Sequence, residues 1–159
     1  MQRRQILLGA GALGIIGPAA CQTAGHDPQT DREQTDMSDN EKTIREFIAA
    51  WSGLDADVIV SYFAEDGVYH NMPAQPVKGH AALRQFISSF LKPWTKTEWD
   101  ILTIVSRGDI VIAERLDRTV AMGKNIDLPC CGVFEMRDGK ISVWRDYFDM
   151  ATYTRALQS

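Results

Sequence analysis

An aspartate, Asp146, lies between two large aromatic residues in the last β-strand that the sequence predicts, over 140–149. Because side chains alternate between the two faces of a strand, Trp144, Asp146 and Phe148 share one face. An ionised carboxylate is costly to bury without partners, so Asp146 needs hydrogen bonds, a raised pKa or a pocket with a polar floor. Catalytic carboxylates occupy such surroundings, and Asp146 is therefore a candidate catalytic residue.

A second carboxylate and an arginine lie two residues apart in the predicted strand 109–122. One face of this strand carries Arg115 and Asp117, but both faces mix apolar and charged residues, so periodicity does not decide which is inward. If Arg115 faces inward, it is available between Asp117 and Asp146. Two carboxylates in a low-dielectric pocket push their pKa values apart, which makes one an acid and the other a base. A surface ion pair is the alternative interpretation.

Two further polar residues, Tyr69 and Asn71, share one face of a short extended run over 68–72 that ends before Pro73. Their hydroxyl and amide groups are able to hold a water molecule by hydrogen bonds. Together with the two carboxylates and the arginine, they predict a site that activates water by acid and base catalysis. Both residue types are also common at a strand end, so the pair alone indicates little.

The elements that position these residues follow from periodicity and turn signals. Apolar residues at helical spacing predict three N-terminal helices, over 39–52, 55–64 and 80–91. The first begins at a capping box, Ser38 to Glu41. Alternating runs predict four strands, over 97–106, 109–122, 126–137 and 140–149.

The turn residues between the strands predict how the sheet is paired. Asp138-Gly139 is typical of a tight hairpin, so the last two strands pair antiparallel and the others follow as a meander. A closing helix is expected over 151–157, with Asp149 as its cap. The fold class is therefore α+β, with a curved, mostly antiparallel sheet and three N-terminal helices forming a cone with an internal pocket.

The composition indicates one folded domain of ordinary size, assigned to 38–159 of the 159 residues. A net charge of −4 and the lack of a basic stripe argue against nucleic acid as a partner. The adjacent cysteines Cys130 and Cys131 point to opposite faces of a strand, so they predict buried packing and no disulfide. The scattered histidines lack the spacing of metal ligands, and no metal is expected.

The first 37 residues predict export. Residues 1–21 combine Arg3-Arg4, an apolar run and a small-residue cleavage zone, which resembles a twin-arginine signal followed by a lipoprotein box with Cys21 as the lipidated residue. Residues 22–37 are polar and predict a disordered linker. The protein is thus expected to be periplasmic, or anchored to a membrane through Cys21. If translation starts at Met37 instead, the protein is cytoplasmic.

Four motifs together resemble the limonene-1,2-epoxide hydrolase family. The resemblance extends from about Asp39 to Tyr153. The motifs are Tyr69-x-Asn71-Met72-Pro73, Glu114-Arg115-x-Asp117, Gly132-Val133-Phe134 and Trp144-Arg145-Asp146-Tyr147-Phe148-Asp149.

The resemblance implies a cone-shaped fold of the cystatin-like, nuclear-transport-factor-like type, usually a homodimer through the sheet. It implies a cofactor-free, one-step addition of water to a small apolar epoxide, such as limonene-1,2-epoxide, to give a vicinal diol. Asp146 is then the general base, Tyr69 and Asn71 also hold the water, Asp117 is the general acid and Arg115 binds both carboxylates. By position in the matching segments, the residues expected to line the substrate pocket are Ile48, Trp51, Leu128, Cys130 and Phe148.

Two other functions stay open for a chain of this kind. An isomerase or cyclase resembling ketosteroid isomerases and polyketide cyclases needs an acidic base, but not the whole set of five polar residues. A non-catalytic ligand-binding module is the other alternative, because one fold hosts many functions. The leader also departs from typical members of the family, which are intracellular.

Overall fold

The computed structural model describes the backbone of residues 28–158 and the side chains of residues 39–158. The predicted signal segment, with Cys21 as its lipidation site, lies outside these residues. In the part of the chain that is described, no helix is both long and apolar enough to span a membrane.

The helices differ from the expected ones mainly at the start of the chain. They are α1 (Pro28–Ala50), a 3-10 turn (Trp51–Gly53), α2 (Ala56–Val60), α3 (His80–Leu91) and α4 (Met150–Gln158). Helix α3 has the predicted bounds. Helix α1 begins at Pro28, so the end of the predicted linker is helical and the capping box at 38–41 lies inside the helix. Proline is well tolerated in a first helical turn, and residues 29–37 contain neither glycine nor a second proline.

Helix α2 ends four residues earlier than predicted because the chain after it joins the sheet. Asp55 caps this helix as expected, since its Oδ1 accepts hydrogen bonds from the backbone N–H groups of Asp57 and Val58 at 2.8 and 3.2 Å. Strand β1 starts at Phe63, where it pairs with the last strand. Strand pairing thus overrides the helical periodicity at this point.

Six strands form one sheet in the order β2-β1-β6-β5-β4-β3. Strand β1 runs parallel to β6, and every other neighbouring pair is antiparallel, including the hairpin predicted at 138–139. The α+β class and the mostly antiparallel meander are therefore confirmed. The strands are β1 (Phe63–Asn71), β2 (Val77–Lys78), β3 (Trp94–Arg107), β4 (Ile110–Ala121), β5 (Lys124–Arg137) and β6 (Lys140–Phe148).

The core lies between α1 and the inner face of the sheet, and Phe47 is at its centre. The Phe47 ring meets five aromatic rings edge-on, at centroid distances from 5.1 Å to 6.2 Å. One of these rings is Trp144, which is fully buried and lies two residues before Asp146. The aromatic core therefore fixes the strand that carries the candidate base.

A second, smaller apolar cluster lies where α4 packs on the sheet. Its buried members are Ala121, Ile126, Leu128 and Cys130, and Tyr153 and Leu157 of α4 pack against them. Asp149 caps α4 as predicted, by accepting backbone N–H bonds from Ala151 and Thr152 at 3.0 and 3.1 Å. Helix α4 is thereby held over one end of the sheet.

Candidate active site

The burial pattern along β4 shows which face of this strand is directed inward, which the sequence periodicity did not decide. The side chains of Val111, Ala113, Arg115 and Asp117 are buried, whereas their neighbours at 110, 112, 114 and 118 are exposed. Arg115 and Asp117 therefore face the same interior space as Asp146. A surface ion pair, the alternative interpretation, does not describe a guanidinium with no solvent exposure.

The Arg115 guanidinium bridges the two buried carboxylates. Its Nε donates to Asp117 Oδ1 at 3.1 Å, and its Nη2 donates to Asp117 Oδ2 at 3.1 Å. The same Nη2 donates to both oxygens of Asp146, at 3.0 and 3.1 Å. Asp117 is 6% exposed and Asp146 is 3% exposed. Such charge-assisted bonds hold both carboxylates in a fixed geometry in a place that excludes most water.

Aromatic rings and a glycine shape the space around this guanidinium. The Arg115 Cζ lies 4.8 Å from the centroid of Trp99 and 5.7 Å from that of Trp144, within the range of cation–π attraction. On the neighbouring strand, a Cβ atom at Gly132 would come within 2.6 Å of Arg115 Nη1. Any larger residue at 132 would displace the guanidinium. This close contact explains why the motif Gly132-Val133-Phe134 begins with glycine.

Burial and charge set the ionisation of the polar groups. Burial raises the pKa of Asp146 to about 6, although Arg115 opposes this shift by favouring the ionised form. Burial also raises the pKa of Tyr69 well above its usual value, and the charge of Asp146 adds to the effect. For Arg115, burial lowers the pKa, but Asp146 and Asp117 outweigh it and raise the pKa overall. The site thus holds a permanent cation, a neutral phenol and a carboxylate more basic than usual.

Parallel pairing of β1 with β6 brings Tyr69 and Asn71 to the carboxylates. Asn71 is in register with Asp146, and Tyr69 with Trp144, on which its ring stacks at 4.1 Å. The backbone N–H of Met72 donates to the carbonyl oxygen of Asp146 at 3.0 Å and fixes the strand end. The Asn71 Oδ1 is buried without a hydrogen-bond partner among the described residues. A buried acceptor without a partner favours an ordered water molecule at this position.

These groups form the polar floor of a cavity of about 110 Å³. Tyr69, Asn71, Asp117 and Asp146 line its floor. Its walls are almost entirely aromatic or apolar, and they are formed by Trp51, Phe90, Trp94, Trp99, Leu128, Cys130, Phe148 and Tyr153.

Four of the five residues expected as pocket walls line this cavity, and Ile48 does not. Ile48 is 2% exposed and belongs to the core cluster around Phe47. The reason is that α1 reaches the cavity only at its carboxyl end, where Trp51 follows the helix. The chemical roles assigned to the site residues remain predictions.

The sequence did not point to four of the wall residues, Phe90, Trp94, Trp99 and Tyr153. Their aromatic types were visible in the sequence, and Phe90 lies in a correctly predicted helix. They come, however, from three different elements, α3, β3 and α4. Periodicity within one element does not give its position relative to another, so no local signal would have grouped them.

A cysteine, Cys130, lies among the acidic groups but does not make a metal site. Ligand atoms of Asp117, Cys130 and Asp146 lie within 4.8 Å of one another. Both carboxylates are already bonded to the Arg115 cation, which would repel a metal ion. Burial, and then the charge of Asp117, raises the pKa of the Cys130 thiol, whereas metals bind the thiolate. The donor set therefore does not favour a metal.

Comparisons with known proteins agree with this geometry. The family model of the limonene-1,2-epoxide hydrolase catalytic domain matches residues 38–158. The chain is 28% identical over 114 residues to epoxide hydrolase EphG of Mycobacterium tuberculosis, a match that covers 72% of this chain and 76% of EphG.

Solved structures show the same fold. A limonene-epoxide-hydrolase-like epoxide hydrolase of Mycobacterium tuberculosis superimposes with a TM-score of 0.67 at 26% identity, over 77% of this chain and 92% of that one. SalBIII, described as an epoxide hydrolase/cyclase-like enzyme in pyran ring formation, superimposes with a TM-score of 0.67 at 18% identity, over 74% of this chain and 95% of that one. At 18% identity, the likeness to SalBIII shows the fold alone.

Proposed function

Because the chain belongs to the limonene-1,2-epoxide hydrolase family, we propose that it adds water to a small epoxide in one step and releases a vicinal diol. The observation that carries this proposal is the pair of buried carboxylates bridged by one arginine at the floor of an apolar cavity. An acid and a base held side by side by one guanidinium are able to open an epoxide with water. No cofactor takes part in this scheme.

Asp146 is the general base in the proposed reaction. With a pKa of about 6, it is ionised at neutral pH, and it is a stronger base than an ordinary aspartate. The water that it deprotonates is also held by the Tyr69 hydroxyl, which its raised pKa keeps protonated, and by the Asn71 amide. The hydroxide equivalent that forms attacks one carbon of the epoxide ring.

Asp117 is the general acid, and it gives its proton to the epoxide oxygen as the carbon–oxygen bond breaks. During this step one carboxyl loses a proton while the other gains one, so the total charge of Asp117, Arg115 and Asp146 stays the same. A constant charge avoids a large electrostatic cost in a site that excludes water. The cycle closes when the proton on Asp146 returns to Asp117.

The walls of the cavity indicate the class of substrate. Eight aromatic or apolar residues favour an apolar body around the epoxide ring. A volume of about 110 Å³ lies below the ~300–1,000 Å³ of many ligand pockets, which favours a small substrate. Limonene-1,2-epoxide and cyclohexene oxide are therefore suitable first probes.

The test is diol formation by the full chain and by two matched variants, Asp146→Asn and Asp117→Asn. Each variant keeps the size and a hydrogen-bonding oxygen of the original side chain but removes its acid or base function. We expect each to lower turnover by about 10²–10⁴-fold, with retained folding checked by circular dichroism. Turnover that stays at the parent level in both variants contradicts the proposal.

Two outcomes of the same assay identify the alternative functions. A hydrolase transfers oxygen from labelled water into the product, whereas an isomerase or a cyclase does not. A binding module keeps its ligand affinity in Asp146→Asn and shows no turnover in the parent chain.

Export, lipidation at Cys21 and a homodimer stay predictions. The mass of the N-terminal peptide from native cells distinguishes a lipidated Cys21 from a start at Met37. Light scattering of the purified protein measures its oligomeric state.

A further inference from the structure

The cavity wall has a second polar feature besides the two carboxylates. Trp94 and Tyr153 both line the cavity, and the Trp94 Nε1 group donates a hydrogen bond to the Tyr153 hydroxyl oxygen at 3.3 Å. Trp94 begins β3, and Tyr153 lies in α4, so this bond joins two elements on different sides of the cavity.

The register of the sheet offsets the backbone of Trp94 from that of Asp117. Trp94 pairs with Ala121, whereas Trp99 pairs with Asp117, four residues earlier on β4. At about 3.3 Å per residue, the two positions lie roughly 13 Å apart along the strand. Trp94 and Asp117 therefore reach the same cavity from different levels of the sheet.

The Tyr153 hydroxyl has a donor to spare. A phenol offers one O–H donor as well as its acceptor lone pairs, and the bond from Trp94 uses only an acceptor. No acceptor for the Tyr153 O–H is present among the hydrogen bonds of the described residues. The Tyr153 ring packs in an apolar cluster with Leu128 and Leu157, so its hydroxyl has Trp94 as its one hydrogen-bond partner among the described residues.

Most wall residues near Tyr153 offer no free donor. Phe90, Leu128 and Phe148 offer no hydrogen-bonding group, and the Cys130 thiol is directed at the carbonyl oxygen of Leu128 at 3.5 Å. The Trp94 N–H is already bonded to Tyr153, whereas the Trp51 Nε1 is a second donor without a partner among the described residues. A polar group on the part of a bound molecule that lies against α4 thus meets the Tyr153 O–H.

We propose that Tyr153 recognises an acceptor oxygen at the end of the substrate remote from its epoxide. This inference rests on the proposed epoxide hydrolase function and narrows its substrate class to epoxides with a distal hydroxyl, carbonyl or ether oxygen. Helix α4, capped by Asp149, then acts as a specificity element that aims this donor into the cavity.

The experiment compares linear terminal epoxides with and without a hydroxyl on the last carbon, at chain lengths of six, eight and ten carbons. The parent chain is expected to have a kcat/KM about tenfold higher for the hydroxylated member of one pair, because only one chain length spans the cavity. Tyr153→Phe is expected to abolish that preference, so that the hydroxylated and the plain member of the pair are opened with the same kcat/KM. Trp94→Phe, the matched control, removes the bond to Tyr153 but keeps its O–H, so the preference is expected to persist.

Binding of the same compounds is measured by quenching of the cavity tryptophans. Together with turnover, it distinguishes a failure of the proposed hydrolase function from a failure of the inference about Tyr153. If no epoxide is opened by the parent chain, the proposed function fails. If plain epoxides are opened but Tyr153→Phe keeps the full hydroxyl preference in turnover and in binding, the inference about Tyr153 is overturned. It is also overturned if the parent chain shows no hydroxyl preference at any chain length.

Discussion

Arg115 and Arg118 lie three residues apart on β4, yet their side chains leave opposite faces of the sheet. Arg115 is fully buried and bonded to Asp117 and Asp146. Arg118 is about half exposed and forms an ion pair with Asp100 of β3, which is 40% exposed. The same strand therefore carries one guanidinium–carboxylate contact in the interior and another in water.

The two contacts have different consequences for stability. An exposed ion pair contributes about 0–1 kcal/mol, because water and salt screen it. Removal of one partner from a buried ion pair costs about 3–5 kcal/mol, since the remaining charges stay buried, although such pairs are rarely the most stable way to fill a core. The buried trio of Asp117, Arg115 and Asp146 is therefore costly to maintain, and catalysis is the reason that we propose for it.

The largest effect is expected from Arg115→Met, which leaves two carboxylates buried without their cation. We expect the free energy of unfolding to fall by about 3–5 kcal/mol and diol formation to fall by at least about 10²-fold. Urea unfolding and the diol assay measure the two quantities.

Two further variants separate the effect of burial from the effect of charge. Arg118→Met makes the same substitution on the outer face, and it is expected to cost less than about 1 kcal/mol with activity unchanged. Arg115→Lys keeps the buried charge without the two-pronged geometry, so it is expected to recover part of the stability but little of the turnover. Equal unfolding midpoints for Arg115→Met and Arg118→Met would contradict the distinction between the two faces.

A smaller effect is expected from Gly132→Ala, which crowds the buried guanidinium without changing any charge. Its new Cβ would lie 2.6 Å from Arg115 Nη1, so the arginine must shift away from its carboxylates. We expect a loss of about 1–3 kcal/mol in stability together with a lower kcat. The control is Gly53→Ala, where no atom lies within 4 Å of the added Cβ. Identical behaviour of the two variants would show that the packing at 132 is not tight.

A further expected effect concerns pH. The pKa of Asp146 is raised to about 6 in the folded chain, so the folded state binds more protons than the unfolded state between about pH 4 and 6. The stability contribution of Asp146 is thus fully present below the unfolded pKa and is lost as the pH rises through about 6. The loss is on the order of 3 kcal/mol.

The measurement is urea unfolding of the parent chain and of Asp146→Asn from pH 4 to pH 7. Their stability difference is expected to change across this interval, and turnover of the parent chain is expected to decline below about pH 6 as the base becomes protonated. An exposed carboxylate behaves with the opposite sign: Arg137 lowers the pKa of Asp66, which favours the folded chain at higher pH. A stability difference between parent and variant that does not change with pH would contradict the raised pKa of Asp146.

Much of the fold was predictable because local signals decide it. Helix α3 has a clear apolar stripe and a proline after its end, and the Asp138-Gly139 turn, with φ of 53° and 70°, allows one tight hairpin geometry. The four long strands were found within a few residues of their bounds. The start of α1 was missed, because a polar segment without breakers gives no signal that separates helix from linker.

The candidate site was predictable only in part. The five polar residues were identified by type and spacing, but the burial of Arg115 depended on which face of β4 turned inward, and only the packing of α1 on the sheet determines that. The parallel pairing of β1 with β6 and the contribution of α4 to the cavity are long-range features. Neither hydrophobic periodicity nor turn residues predict these two features.

The parallel pairing of β1 with β6 also has a consequence for the order of assembly. Tyr69 and Asn71 are synthesised early, whereas Asp146 lies in the last strand of the domain. During translation the meander of β3, β4 and β5 is able to form as each hairpin emerges, but β1 waits for β6 to reach it. The water-holding residues and the base therefore come together only when nearly the whole chain has left the ribosome, and no shorter nascent chain has a complete site.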